Sequence, residues 1–387
     1  MKALKNRRVY LDHAATTYVC GEVLQSMLPF FTTEFGNASS IHNFGRAAEK
    51  ALSAARAQVA KAINADPTEI YFTSGATEAN NWVLRGLVQH HPSKRAIVSR
   101  IEHPSILSVC NELVKEGCKV DYVDVDMDGV IKVSDLISKL SKPAAVVSIM
   151  TANNEVGTIQ YLNTIANLCR ERGVPFHTDA TQALSSVLID VKEMKIDALS
   201  LSAHKIYGPK GVGALYIRNG VKVEPFMLGG GQERGRRSGT TNVAGIVGFG
   251  KAVEVAMRDS NINNNRIKTL RDYLIQQIEE KIEDVKLNGH RGQRLANNVN
   301  FSFAGIEGEA ILTLLDFAGI AVSTGSACSS GTLERSHVLS AMSVPPEMNN
   351  GSIRFTLGRA TTKQDIDYTV AHLVEAVKKL RGISALR

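Results

Sequence analysis

The chain predicts an α/β fold, a mainly parallel mixed sheet forming a large domain, followed by a smaller α+β domain. Three observations point there. Over the first two thirds, short apolar runs alternate with helical patterns, as in a sheet covered by helices on both faces. From about residue 260 that alternation gives way to a long polar helix and a mixed set of strands and helices. The 387 residues also suffice for two domains.

The elements follow in order. EKALSAARAQVAKAI reads as an amphipathic helix ending near Asn64, before the DPTE turn. EIYFTS is a strand, and GATEANNWVLRGLVQHH is a helix entered through a glycine. RAIVSR is the next strand, and HPSILSVCNELVKEG the helix after it. KVDYVDV, AAVVSIM, VPFHTDA and DALSLSA continue the strands. GVGALYIR follows so closely that no helical crossover fits, so it is expected to run antiparallel. The polar helix RIKTLRDYLIQQIEEKIED then opens the second part, with strands NNVNFSF and SIRFTLGR and helices GEAILTLLDFAG and IDYTVAHLVEAVKKL. The expected division is 16–258 for the large domain, with 1–15 and 259–387 forming the small one.

Composition narrows the function classes. Hydrophobic content of 44% and charged content of 21% are ordinary for a globular protein. MKALKNRRVYLDHAATT lacks the apolar core of a signal peptide, and no apolar run approaches a membrane span. The five cysteines (Cys20, Cys110, Cys118, Cys169, Cys328) lack CxxC spacing, which argues against a zinc site or a disulfide framework. Their odd number and dispersal fit a reducing cytoplasm. The net charge of +7 is spread along the chain without interleaved aromatics, so no direct nucleic-acid partner is expected.

In open α/β sheets, ligands sit beyond the carboxyl ends of the strands. There the chain places GAT, IEHP, TANNE, then Asp179 with Gln182, then His204 and Lys205. Each suits one part of a charged aromatic cofactor. Ser74, Gly75, Ala76 and Thr77 open a helix whose N–H groups attract phosphate. Asp179 suits a protonated pyridine nitrogen, Lys205 a Schiff base, and His103 stacking or proton transfer. Each also has a plain alternative. Gly75 is a common turn residue, His103 a helix-entry residue before Pro104, Asp179 an N-cap for TQAL, and Lys205 a strand-end lysine reaching solvent. Their placement along one sheet edge favours the cofactor reading. Cys328, in VSTGSACSSGT, has small neighbours unlike those of a packed cysteine, and as a nucleophile it needs a nearby base or cation. The alternative is an ordinary loop cysteine.

These motifs resemble the cysteine desulfurases of the NifS/IscS kind, class V aminotransferases with the fold-type I architecture of pyridoxal-phosphate enzymes. The resemblance runs through YLDHAATT, GNASSIH, FTSGATEANN, IEHPSI, NNEVGTIQ, HTDATQ, SAHKIYGPKGVGALY, GGGQERGRRSGT, STGSACSS and SIRFTLGR. It implies pyridoxal 5'-phosphate as cofactor and L-cysteine as substrate, converted to L-alanine with the sulfur left as a persulfide on Cys328. It implies Lys205 as the Schiff-base lysine, Asp179 as the partner of the ring nitrogen, and His103 as the stacking acid–base residue. By the same resemblance Asn154 and Gln182 are expected near the ring, with Asn154 bordering the substrate. It likewise implies Ala76, Thr77, Ser202 and His204 as the phosphate cup and Arg354 as the clamp on the substrate carboxylate. Thr240 matches a residue that reaches the phosphate in the neighbouring subunit, which implies a homodimer. The long GSAC segment implies sulfur delivery to an iron–sulfur scaffold or another acceptor, for cluster, thio-cofactor or tRNA synthesis. No resident metal is implied, beyond transient ligation of a cluster by Cys328.

Three positions depart from the family pattern: Tyr18, Ala38 and Arg335 each stand where proline is usual. None is a residue of the inferred chemistry, and the expected effect is on loop stiffness or acceptor docking. The chain stops at SALR, short of the tail some relatives use to dock a scaffold, so the expected partner is a different scaffold or sulfur acceptor, or the same kind met through another surface. A selenocysteine lyase or a transaminase is the alternative enzyme, and a non-catalytic homologue the alternative outside enzymes. The GSAC segment disfavours the first two. The presence of Lys205, Asp179 and Cys328 disfavours the last.

Overall fold

The computed structural model of the chain describes residues 7–324 and 335–384. Cys328 lies outside the described residues.

The larger sheet has seven strands: β2 (Ile70–Thr73), β3 (Arg95–Ser99), β4 (Lys119–Val123), β5 (Val146–Ser148), β6 (Phe176–Asp179), β7 (Ala198–Ser202) and β8 (Gly213–Ile217). Their spatial order is β2-β8-β7-β6-β5-β3-β4. All neighbouring pairs are parallel except those of β8, which runs antiparallel to both β2 and β7. Reversing at β8 restores the direction at β2, so β2, β3, β5, β6 and β7 all end on one edge. Burial along β3, β6 and β7 is continuous, as a sheet covered on both faces requires.

Among the described residues, seven helices run to ten residues or more, and these are numbered here. Against one face lie α1 (Asn43–Ala62) and the first half of α5 (Val243–Lys281), joined through Leu52, Val59, Phe249 and Val253. Against the other lie α2 (Ala76–Val88) and α3 (Pro104–Lys115), with Trp82, Leu84, Ile106 and Leu113 in the core. Helix α4 (Leu162–Glu171) packs beside β6.

A separate core follows. The antiparallel sheet β9 (Val285–Leu287), β10 (Asn298–Phe303) and β12 (Ser352–Thr356) packs with α6 (Gly308–Phe317) and α7 (Lys363–Ser384). The chain's start joins this core, for β1 (Val9–Tyr10) pairs in parallel with β11 (Ile320–Ala321).

One sequence expectation is corrected. The polar helix does not start at Arg266; α5 is one helix of 39 residues that begins at Val243 and carries side chains into both cores. Its first half is rich in glycine, which reads locally as non-helical. The glycines answer to packing instead. A Cβ at Gly250 would lie 2.7 Å from Ala55 Cα, and one at Gly248 2.6 Å from Met27 Sδ.

Candidate active site

The shared strand edge opens into a cavity of about 550 Å³. Its lining includes Ala76, Thr77, His103, Asn154, Asp179, Gln182, Ser202, His204, Lys205 and Arg354. Residues spread over nearly 280 positions of sequence thus meet because parallel strands deliver their ends to one place. Asp179 is the one carboxylate among the described lining residues, which also include Lys205, Lys210 and Arg354.

Helix α2 enters the cavity through Gly75, which takes φ +156°. Space also demands glycine opposite it: a Cβ at Gly213 would lie 2.4 Å from Leu201 O and 2.7 Å from Gly75 Cα. Ala76 and Thr77 open the helix, where N–H groups have no partner in the helical ladder. Glu78, in the same turn, is turned aside to Arg237 (2.7 Å). Burial would raise its carboxyl, but Arg237 and the Ser74 hydrogen bonds outweigh burial and hold it below the usual range.

Asp179 ends β6 and is only 6% exposed. Its carboxylate accepts from Thr181 N (2.9 Å) and from Asn80 Nδ2 (2.8 Å). No helix follows it, so the N-cap alternative fails. Lys205 does not reach out to solvent as a simple strand-end lysine would. It turns its amine onto the carbonyls of Ala14 and Ala15, the second at 2.8 Å. Gln182 holds the same segment, donating to Ala14 O at 3.0 Å.

His103 caps α3, as a helix-entry residue would, and also lines the cavity. Its Nδ1 accepts from Ser105 N at 3.1 Å. Burial lowers its pKa, the Asp179 carboxylate opposing and Lys205 and His337 adding to the effect, so the neutral ring is favoured. With Nδ1 accepting, the proton of that neutral ring sits on Nε2. His204 is pushed down to about 4 by burial and by the charges of Lys205 and Lys210.

Arg354, on β12, donates to Asn154 O (3.0 Å) and to Asp12 Oδ1 (2.9 Å). Its Nε is buried without a partner among the described residues, as is Thr181 Oγ1. Both residues belong to the cavity wall. An anion-ready helix end, a buried carboxylate, an amine and a guanidinium together fit a phosphorylated pyridine cofactor with an amino-acid substrate.

Thr240 stands apart from this cavity. It lines a neighbouring one, of about 160 Å³, with Ser74, Gly211 and Arg237. Among the described residues no cluster of three or more His, Cys, Asp or Glu side chains is suited to hold a metal, and no helix is long and apolar enough to cross a membrane.

Sequence reasoning missed several participants. Lys210, Ser105 and the Ala14–Thr16 backbone line the cavity without having been assigned a role. Asn80 lies behind it, fully buried on an otherwise apolar helix face beside Ala79 and Trp82. That polar exception was the available signal. Ala14 and Ala15 act through backbone carbonyls, which no side-chain pattern reveals.

The comparisons with known proteins agree with this geometry. A family described as aminotransferase class-V matches residues 9–369. A protein of Clostridium botulinum named "Cysteine desulfurase IscS" is 50% identical over 385 residues, covering 98% of this chain and 97% of its own. A solved structure called "NIFS-LIKE PROTEIN" superposes with a TM-score of 0.91 at 36% identity, over 97% of this chain and 100% of its own. Another, "SspA in complex with cysteine", superposes with a TM-score of 0.80 at 34% identity, over 90% of this chain and 98% of its own.

Proposed function

The chain belongs to the aminotransferase class-V family, and from that premise we infer that it is a pyridoxal-phosphate-dependent cysteine desulfurase converting L-cysteine to L-alanine. The observation that carries this reading is the single cavity holding Lys205, Asp179, His103 and Arg354 around the start of α2.

The residue roles follow as proposals. Ala76, Thr77, Ser202 and His204 would hold the cofactor phosphate, and Asp179 its ring nitrogen, with Asn154 and Gln182 beside the ring. Pyridoxal phosphate, when bound, supplies a ring that takes up the electrons freed at the substrate's α-carbon. Arg354 binds the substrate carboxylate in the planar, two-pronged manner guanidinium allows. Lys205 anchors the cofactor and moves the proton at the α-carbon. Neutral His103 offers its Nε2 proton to the reacting atoms while Ser105 holds the ring in place.

Cys328 is the proposed sulfur acceptor. Its thiolate attacks the substrate sulfur, an S–S bond forms as the C–S bond breaks, and the carbon skeleton takes up a proton. L-cysteine and an enzyme thiol become L-alanine and an enzyme persulfide, and the atoms balance. The persulfide then passes to an iron–sulfur scaffold or another acceptor protein in the cytoplasm. Thr240, outside the main cavity, suits a homodimer in which each copy lends it to the other's phosphate site. A division at 16–258, against 1–15 with 259–387, is supported by the two separate cores.

The test is product analysis with purified holoenzyme and L-cysteine. Alanine is expected, with one added sulfur on the Cys328 peptide by mass spectrometry. Cys328→Ala is expected to keep the cofactor's visible band and lose alanine formation, and Lys205→Ala to change the band itself. Full alanine production by Cys328→Ala would instead indicate a lyase without a persulfide step.

A further inference from the structure

Asn80 is an unusual residue for its place in α2. It is fully buried, among the apolar side chains of Ala79, Trp82 and Val83 on the same helix. Its Oδ1 is buried without a hydrogen-bond partner among the described residues. A buried polar atom left unpaired costs folding energy, so an apolar side chain would serve better if only packing were needed.

The nitrogen of the amide accounts for the choice. Asn80 Nδ2 donates to Asp179 Oδ2 at 2.8 Å and to Ser105 Oγ at 2.9 Å. An amide NH2 has two hydrogens, and both are used. The direction of each bond in the chain is then fixed. The Asp179 carboxylate only accepts. The Ser105 hydroxyl accepts from Asn80 and turns its own proton toward His103 Nδ1, 2.9 Å away. The Ser105 backbone N–H, which can only donate, points to the same nitrogen at 3.1 Å. One buried amide thus connects the end of β6 with the start of α3, where the ring-nitrogen partner and the acid–base imidazole are expected.

We propose that Asn80 is a positioning residue for proton transfer: by donating to Asp179 and Ser105 together, it makes the Ser105 hydroxyl a donor to His103 and keeps the imidazole proton on Nε2. The role of His103 rests on the desulfurase reading above, whereas the hydrogen-bond chain does not. A donor aimed at Nδ1 favours the neutral ring. Without Asn80 the hydroxyl is free to turn and accept from a protonated Nδ1, so His103 binds a proton more tightly. The other influences on the ring stay in place. Burial lowers its pKa, Asp179 opposes, and Lys205 and His337 add to the lowering. Glu102, the preceding residue, is pushed up to about 8 by burial, and His204, Lys210 and Arg354 share the cavity. Substitution at 80 or 105 removes none of these groups.

The experiment uses holoenzyme carrying isotope-labelled histidine, as wild type, Asn80→Ala, Asn80→Leu, Ser105→Ala and the Asn80→Ala/Ser105→Ala double variant. Long-range proton–nitrogen NMR reads the tautomer and titration midpoint of His103, whose signal is assigned by its absence from His103→Gln. The pH profile of kcat/KM for alanine formation and the cofactor occupancy are measured on the same samples. The wild type is expected to carry its ring proton on Nε2. Each variant is expected to bind the His103 proton roughly three- to tenfold more tightly, as for one lost hydrogen bond. The acid limb of the kcat/KM profile is expected to move to higher pH by the same factor. Ser105→Ala leaves the contact of Asn80 with Asp179 in place, so a shift it shares with the Asn80 variants does not come from Asp179. The double variant is expected to shift no further than the larger single one, as for two residues acting through one contact. Asn80→Leu fills the space that Asn80→Ala empties, which keeps the test open if the smaller side chain prevents folding. An unchanged midpoint in a folded Asn80 variant, additive shifts in the double variant, or a wild-type proton on Nδ1 overturns the inference. A wild type that forms no alanine overturns the desulfurase reading, and the His103 midpoints then still decide whether Asn80 acts through Ser105.

Discussion

Single side chains here carry burdens that only their surroundings explain. Glu102, next to His103, is wholly buried, and burial pushes its carboxyl up to about 8 despite hydrogen bonds from Ser99 and Met150; nearby Asp179 adds to the rise. The consequence for stability has a definite sign. In the unfolded chain this group ionises near 4.5, so between there and about 8 the folded state binds the extra proton. Stability attributable to Glu102 is therefore intact below about 4.5 and declines as pH rises toward 8. Glu102→Gln keeps an acceptor for Ser99 and Met150 but cannot ionise. Its Tm, compared with wild type, is expected to gain progressively from about pH 5 to about pH 8, measured by scanning calorimetry. A difference that stays flat over that range would show that Glu102 does not titrate between the two states.

Among the elements, the meeting of β8 with the start of α2 is the tightest point near the cavity. Gly213 on β8 backs onto Gly75, leaving no room for a methyl group. Gly213→Ala is expected to cost ~1 to ~3 kcal/mol through overpacking. It is also expected to weaken cofactor retention, because relief of the clash moves the Ala76 and Thr77 N–H groups. Denaturant titration and dialysis against buffer check the two effects separately. Much at this level was legible in sequence. The apolar runs marked the strands, and the short GPKG turn foretold antiparallel β8. Helix α5 was misplaced because Gly245, Gly248 and Gly250 lower local helix propensity, whereas Gly248 and Gly250 let the helix approach Met27 and Ala55 and Gly245 leaves room for the side chain of Asn242.

Across the whole molecule, two cores share one cavity, and α5 runs through both. Its first half packs at Phe249 and Val253 in the larger core, its second at Leu274 and Ile278 in the smaller. The residue 11–17 segment bridges them again: Asp12 pairs with Arg354, while Ala14 and Ala15 receive Lys205. The relative placement of Lys205 and Arg354 thus depends on how rigidly the cores are joined. Asn261 is an exposed position of α5 between the two sets of core contacts. Asn261→Pro is expected to cost ~3 kcal/mol by breaking the helix ladder. It is also expected to lower kcat/KM more than cofactor occupancy, since the residues proposed to hold the phosphate and ring lie along the larger sheet and Arg354 on the smaller one. Steady-state kinetics with occupancy measured by absorbance distinguishes the two, and a proportional fall would refute the argument.

Residue types and their order were enough to place the strands, the sheet edge and the groups gathered there, because parallel strands must send their carboxyl ends one way. They were enough also for the family resemblance, which the comparisons bear out along nearly the whole chain. What local sequence could not supply was the network between distant segments. The carbonyls of Ala14 and Ala15, the support of Asp179 by Asn80, and the tie from Glu155 to Ser336 join residues as many as 191 positions apart. A backbone carbonyl has no residue type to announce it, and a buried carboxyl or amide is chosen by its partner. Those partners exist only once the chain has closed upon itself.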